Sequence, residues 1–71
     1  KRMTYEQRKE FRRLEKEIGK LEEQKQTLIA KFNEPDIDPS KIEQYSIELG
    51  ELNKKMEDKE MRWLELGELE S

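Results

Sequence analysis

Four basic side chains recur at helical spacing early in the chain. Lys9, Arg13, Lys16 and Lys20 follow one another at intervals of four, three and four residues, which places them on one face of a helix. At about 1.5 Å per residue they span roughly 16 Å. A cationic stripe of this kind can follow a phosphate backbone by charge, without reading base sequence. The spacing predicts a nucleic-acid-binding face. The alternative is a solvated face balanced by nearby glutamates.

Three apolar residues in the second half of the chain predict a different kind of surface. By helical spacing Ile47 and Met61 point outward on one line, and Leu64 lies nearby. They indicate a protein-interaction surface through which the chain could dock or dimerise. Isolated exposed apolar residues are common, however, so ordinary surface exposure stays an alternative.

The sequence lacks the residues and motifs on which common catalytic mechanisms depend. The sequence contains no His and no Cys, no glycine-rich phosphate loop and no Gly-x-Ser-x-Gly motif. Its carboxylates are expected on solvated helix surfaces, not in a cleft that would shift their pKa values. We therefore expect no catalytic residue, no metal site and no cofactor in this chain, and the lack of Cys excludes disulfides and thiolate zinc sites.

The composition excludes a large globular core. Of 71 residues, 31% are hydrophobic and 46% are charged, which suits paired amphipathic helices because only two positions in seven must be apolar. The formal net charge of −3 argues against indiscriminate nucleic-acid binding. No apolar run approaches the ~20 residues of a membrane span. Because the sequence starts with Lys1 and ends within a helical pattern, we expect a single domain, 1–71, cut from a longer protein.

Two ladders of large side chains, alternating in steps of three and four, predict the fold. The first comprises Phe11, Leu14, Ile18, Leu21, Lys25, Leu28 and Phe32, and the second Ile42, Tyr45, Leu49, Leu52, Met56, Lys59, Trp63 and Leu66. Each seam is narrow and needs a partner helix, and the break around Pro35 is short. The predicted class is all-α: two long helices in an antiparallel coiled-coil hairpin, with helices over about 4–33 and 39–69 and a turn over about 34–38.

The helix starts carry capping signals. Thr4 and Gln7 form a capping box before the first helix. Asp38-Pro39 reads as an N-cap followed by proline at the first helical position. A second capping box, from Ser40 to Glu43, would start the helix two residues later.

Two registers between the helices are compatible with the ladders. A turn of four or five residues, which we prefer, opposes Leu28 to Ile42, Leu21 to Leu49, Ile18 to Leu52 and Leu14 to Met56, with Lys25 beside Tyr45 and Lys59 beside Phe11. The alternative slides the second helix by one heptad and opposes Phe32 to Tyr45 and Leu14 to Trp63. In either case the seam lysines are expected to snorkel, with apolar stems on the seam and ammonium groups in water.

Charge is segregated along the chain. The first thirteen residues carry six bases and two acids, whereas the last fifteen carry six acids and two bases. An antiparallel hairpin makes these segments neighbours, so mutual neutralisation is expected at the open end, with a small effect for each exposed pair.

Three stretches together resemble a known family. They are the opening Lys1-Arg2-Met3-Thr4-Tyr5-Glu6-Gln7-Arg8-Lys9-Glu10-Phe11, the Asp/Pro turn, and the closing Arg62-Trp63-Leu64-Glu65-Leu66. They are similar to the C-terminal coiled-coil domain of Uup-type ABC-F ATPases. The resemblance implies a cytoplasmic parent protein with two ATP-binding cassettes, which bind ATP and Mg²⁺ and precede this domain, and no membrane span. It also implies association with DNA, ribosomal RNA or the ribosome, and possible contact with the ATPase modules. The acidic second helix departs from the more basic members.

From the residues and the resemblance together we predict a non-catalytic domain. It would target an ABC-F ATPase to nucleic acid or the ribosome through Lys9, Arg13, Lys16 and Lys20. The rival prediction is a structural hairpin, monomeric or weakly dimeric, that docks through Ile47, Met61 and Leu64.

Overall fold

The chain folds as two long helices joined by a short turn. The computed structural model describes residues 2–70, so Lys1 of the opening motif and Ser71, the ends of the predicted domain, lie outside the described residues. Helix α1 spans Tyr5–Phe32 and helix α2 spans Pro39–Glu68. They form a rod of 53 × 17 × 14 Å. The prediction of an all-α antiparallel hairpin is confirmed.

Both helices start where the capping signals predicted. The Thr4 hydroxyl accepts a hydrogen bond from the Gln7 N–H at 3.1 Å, and the Gln7 side chain accepts one from the Thr4 N–H at 2.9 Å. Asp38 caps α2 by accepting from the Ser40 N–H at 3.0 Å, with Pro39 in the first turn. That backbone hydrogen bond lowers the pKa of Asp38. The later start at Ser40 is therefore not used.

The two ladders form the interface between the helices. Leu14, Leu21 and Leu28, spaced by seven residues, are buried on α1, and the rest of the first ladder is half-buried. The second ladder is buried or half-buried except for Ile42, which is 42% exposed. The seven-residue spacing is what a narrow seam between two helices requires.

The two helices pair in the alternative register, so the prediction of the preferred register is wrong. The rings of Phe32 and Tyr45 meet edge to face with centroids 6.0 Å apart, and Phe11 stacks on Trp63. Trp63 also packs against the buried cluster that contains Leu14. The preferred pairings fail together: Leu28 with Ile42, Leu21 with Leu49, Ile18 with Leu52, Leu14 with Met56, Lys25 with Tyr45, and Lys59 with Phe11.

The turn and the open end explain the slide by one heptad. Residues 33–38 separate the helices, one or two more than the preferred register assumed. With Phe32 level with Tyr45, Ile42 lies beyond the end of α1 and stays exposed. The slide gives Phe32 an aromatic partner and buries Leu66, which is 1% exposed, in a cluster with Met3 and Leu14. Burial of apolar area is the largest favourable term available to this chain.

Lys59 lies on the seam as predicted, but its ammonium group forms a cross-helix ion pair instead of staying in water. Lys25 and Lys59 are half-buried on the seam. The Lys59 Nζ leaves the apolar surface to bind the Glu17 carboxylate at 2.9 Å. Over residues 2–70, neither helix is long and apolar enough to cross a bilayer.

Candidate nucleic-acid interface

The predicted basic stripe lies on the exposed side of α1. Lys9, Arg13, Lys16 and Lys20 are all exposed, whereas the neighbouring Leu14 and Leu21 are buried in the seam. The Lys9 Nζ lies 5.7 Å from the Tyr5 ring centroid, and the Arg13 Nε lies 3.8 Å from a Glu17 oxygen. Both contacts are exposed and weak, so the four cations are available to a ligand.

Two further bases extend this surface. Arg8 and Arg12 are exposed, and with Lys16 they form a second row at intervals of four residues beside the first. The prediction named only the first row, although the same spacing rule finds both. The basic face is defined here as Arg8, Lys9, Arg12, Arg13, Lys16 and Lys20.

Cross-helix ion pairs flank the basic face. Arg62 binds Glu10 through two parallel hydrogen bonds, from Nε at 2.9 Å and from Nη2 at 3.0 Å. Lys59 binds Glu17 at 2.9 Å. The hydrogen bond from Arg62 lowers the pKa of Glu10, the one from Lys59 lowers the pKa of Glu17, and the bond to Glu10 raises the pKa of Arg62. Glu10, Glu17 and Arg62 therefore stay charged through the neutral range.

The charges in these two ion pairs are reversed relative to the expected neutralisation, in which bases of α1 would have met acids of α2. Each joins an acid of the basic helix α1 to a base of the acidic segment of α2. The Glu10 carboxylate is thereby held toward α2, whereas the Glu17 carboxylate is shared between Lys59 of α2 and Arg13 of α1. The Met3 N–H does donate to Glu70, at 3.4 Å. Among residues 2–70, Arg13 is the one member of the basic face that lies within ion-pair distance of a carboxylate, so most of the positive charge of this face is not neutralised locally.

The three apolar residues predicted to form an interaction surface are all exposed, and two of them are neighbours on α2. Ile47, Met61 and Leu64 are 59%, 64% and 57% exposed. Ile47 and Met61 are fourteen residues apart in α2, which is about 21 Å along a helix. Leu64 lies one turn from Met61, three residues further along α2, and lines a groove with Phe11 and Trp63.

One comparison with known proteins gives an identification. A family model described as the ABC transporter C-terminal domain matches residues 2–68. The chain belongs to this family. The match runs from the opening motif to the last residue of α2, so the family's domain includes both helices, the turn and the basic face. No curated protein and no solved structure matches the chain.

This C-terminal domain offers no fit to the ATP and Mg²⁺ that the resemblance implied for the parent protein. Its three glycines, Gly19, Gly50 and Gly67, all lie inside helices, whereas a phosphate-binding loop needs glycines in a turn before a helix. Among residues 2–70, no group of three or more acidic, His or Cys side chains is placed to hold a metal ion.

Proposed function

We propose that this chain is the non-catalytic C-terminal coiled-coil domain of an ABC-F-type ATPase, and that it brings the parent protein to DNA, ribosomal RNA or the ribosome. ATP and Mg²⁺ would bind to cassettes elsewhere in a cytoplasmic parent chain. One observation carries the proposal: six exposed bases share the outer side of α1 between residues 8 and 20, while the acids Glu10 and Glu17 are engaged by α2.

The arrangement suits a phosphate backbone. The hairpin is a rod, so α1 presents the basic face as a straight strip whose cations lie on successive turns. Each cation can replace counterions along a duplex, which gives affinity without base specificity. The acids of the last turns of α2 limit this affinity through repulsion, in keeping with the net charge of −3.

Salt-dependent binding to short DNA and RNA duplexes tests the proposal. The test variant replaces the four bases of the predicted stripe with Gln: Lys9→Gln, Arg13→Gln, Lys16→Gln and Lys20→Gln. Gln is a good helix former, and none of the four contributes to the seam, so helicity should be retained. Each lost phosphate contact should flatten the slope of log affinity against log salt by about 0.9 on B-DNA, or roughly 3.6 for all four.

A matched variant controls for net charge. It replaces four exposed bases outside the basic face: Lys31→Gln, Lys41→Gln, Lys54→Gln and Lys55→Gln. We expect the slope of log affinity against log salt for this variant to differ from that of the parent by no more than about 0.9, the value for one phosphate contact. If both quadruple variants bind alike, the basic face is only solvated surface. Docking through Ile47, Met61 and Leu64 would then be the next candidate.

A further inference from the structure

The two sides of the helix–helix seam are built differently. The seam residue Ile18 is flanked by Glu17 and Gly19, which point to opposite sides because successive residues turn by about 100°. On the Glu17 side, ion pairs with Lys59 and from Glu10 to Arg62 cross between the helices. On the Gly19 side lies an open groove of about 380 Å³. This groove, called the carboxylate-rimmed groove below, is lined by Ile18, Gly19, Met56 and Trp63 and by Glu15, Glu22 and Glu60.

Gly19 has no side chain and so leaves this groove open, but no packing contact within the hairpin requires a glycine at this position. A Cβ built on Gly19 would meet nothing within 4 Å. A glycine inside a helix costs about 1 kcal/mol relative to alanine, and no close approach of the two helices requires it here. A second opening of about 250 Å³, which also borders Trp63, is lined by Phe11, Leu64, Gly67 and Glu68.

The rim carries negative charge only. Glu15, Glu22 and Glu60 contribute three carboxylates to the lining, and no base lines the groove. Within residues 2–70, none of the three is held in an ion pair, although Glu22 accepts a hydrogen bond from Gln26 at 3.0 Å. An apolar floor with an anionic rim selects a ligand that combines a large apolar side chain with flanking cations.

We propose that the carboxylate-rimmed groove docks a cationic amphipathic segment of a partner protein. A Leu-sized side chain would contact Ile18, Met56 and the Trp63 ring, and Lys or Arg side chains one turn away would bind the rim. This mode is the familiar one of an amphipathic helix lying in an apolar groove. The inference is independent of the proposed function, because no member of the basic face lines the groove.

Trp63 provides a direct readout, because it is the only tryptophan in the chain and lines the groove. The probe is a synthetic amphipathic helix of Leu and Lys, without aromatic residues; the counter-probe carries Glu in place of Lys. We expect a saturable change in Trp63 emission with the Leu/Lys peptide and none with the Leu/Glu peptide, since like charges on the rim oppose the latter. Equal binding of both peptides would overturn the charge argument and with it the proposal.

Two glycine variants separate groove occupancy from stability. Gly19→Leu fills the groove and should weaken the Leu/Lys peptide by about tenfold or more, the effect expected when a central contact is blocked. Gly50→Leu is the matched control, because Gly50 is also helical, meets nothing within 4 Å and does not line the groove. Both changes favour the helix, so unfolding would not explain a loss. Equal affinities for the two variants would overturn the proposal.

Charge-neutralising variants test the rim. The rim variant combines Glu15→Gln, Glu22→Gln and Glu60→Gln, and its control combines Glu34→Gln, Glu43→Gln and Glu48→Gln, three exposed acids that do not line the groove and whose loss changes the net charge equally. We expect weaker binding and a flatter salt dependence for the rim variant alone. Equal loss in both would show that the peptide senses only the net charge of the hairpin, and would overturn the proposed site.

Discussion

The ring of Phe11 stacks on the indole of Trp63, with centroids 5.5 Å apart and planes inclined by 15°. This contact joins the start of α1 to the end of α2 and covers the cluster around Leu66. The Trp63 Nε1 is buried there without a hydrogen-bond partner within the described residues. An unpaired buried N–H costs about 1–3 kcal/mol, so the stacking and burial of the ring must offset that cost.

The stacking on Phe11 predicts that the hairpin needs an aromatic ring at position 63. Trp63→Phe keeps an aromatic ring on Phe11 and removes the unpaired N–H, so we expect it to change the free energy of unfolding by less than about 1.5 kcal/mol. Trp63→Ala removes the ring and should cost about 3 kcal/mol, the low end for a buried aromatic residue because the site is half-buried. Denaturant unfolding followed by circular dichroism measures both. Equal losses for Phe and Ala would show that the N–H, not the ring, matters.

Packing should outweigh surface charge in the stability of the hairpin. Leu21 is buried at the centre of the α1 seam, and Leu21→Ala should cost about 2 kcal/mol, the low end for a buried leucine since the seam buries it on one side only. Glu65 is exposed and lies 3.6 Å from Arg62 on the same helix. Glu65→Ala should cost at most a few tenths of a kcal/mol. An unfolding midpoint that responds more to Glu65→Ala than to Leu21→Ala would reverse this ranking.

The helices and their inner faces were predictable because local signals define them. The capping pairs Thr4/Gln7 and Asp38/Pro39 and the heptad spacing of Leu14, Leu21 and Leu28 depend only on nearby residues. These signals are repeated along the chain and agree with one another, which is what makes a hairpin readable from one sequence.

The register and the groove were harder, because each depends on residues far apart in sequence. A heptad pattern repeats every seven residues, so it cannot distinguish two registers that differ by seven. The aromatic pairs Phe32/Tyr45 and Phe11/Trp63 decide between them. The groove beside Gly19 depends in turn on that register, because it brings Trp63 and Glu60 to the level of Glu15 and Ile18.

The start of α2 gives a test of the capping geometry. Asp38 accepts from the Ser40 N–H and is the N-cap, so Asp38→Ala should cost about 1 kcal/mol. Ser40 lies within the first turn of α2, and its side chain also donates a hydrogen bond to Asp38, so Ser40→Ala should cost about 0.5 kcal/mol, less than the loss of the cap itself. Thermal unfolding followed by circular dichroism compares the two. A larger loss from Ser40→Ala would restore the later start of the helix.

Acid should weaken the hairpin through the two cross-helix ion pairs. The pKa values of Glu10 and Glu17 are lowered in the folded chain by hydrogen bonds from Arg62 and Lys59. Near pH 4 the unfolded chain therefore binds more protons at these residues than the folded chain does. Stability then falls as the pH falls. This contribution is fully present above the ordinary glutamate pKa of about 4.3 and is lost as the pH drops through the lowered folded values.

A pair of double variants isolates that contribution. Glu10→Gln with Glu17→Gln removes both titrating partners, so its melting temperature should fall less steeply than the parent's between about pH 5 and pH 3. The control is Glu34→Gln with Glu43→Gln, two exposed glutamates that form no ion pair among residues 2–70, and it should keep the parent's acid dependence. Melting curves at a series of pH values and fixed ionic strength measure all three. If the Glu10/Glu17 variant follows the parent at every pH, the ion pairs do not couple protonation to folding, and their close geometry contributes nothing measurable to stability.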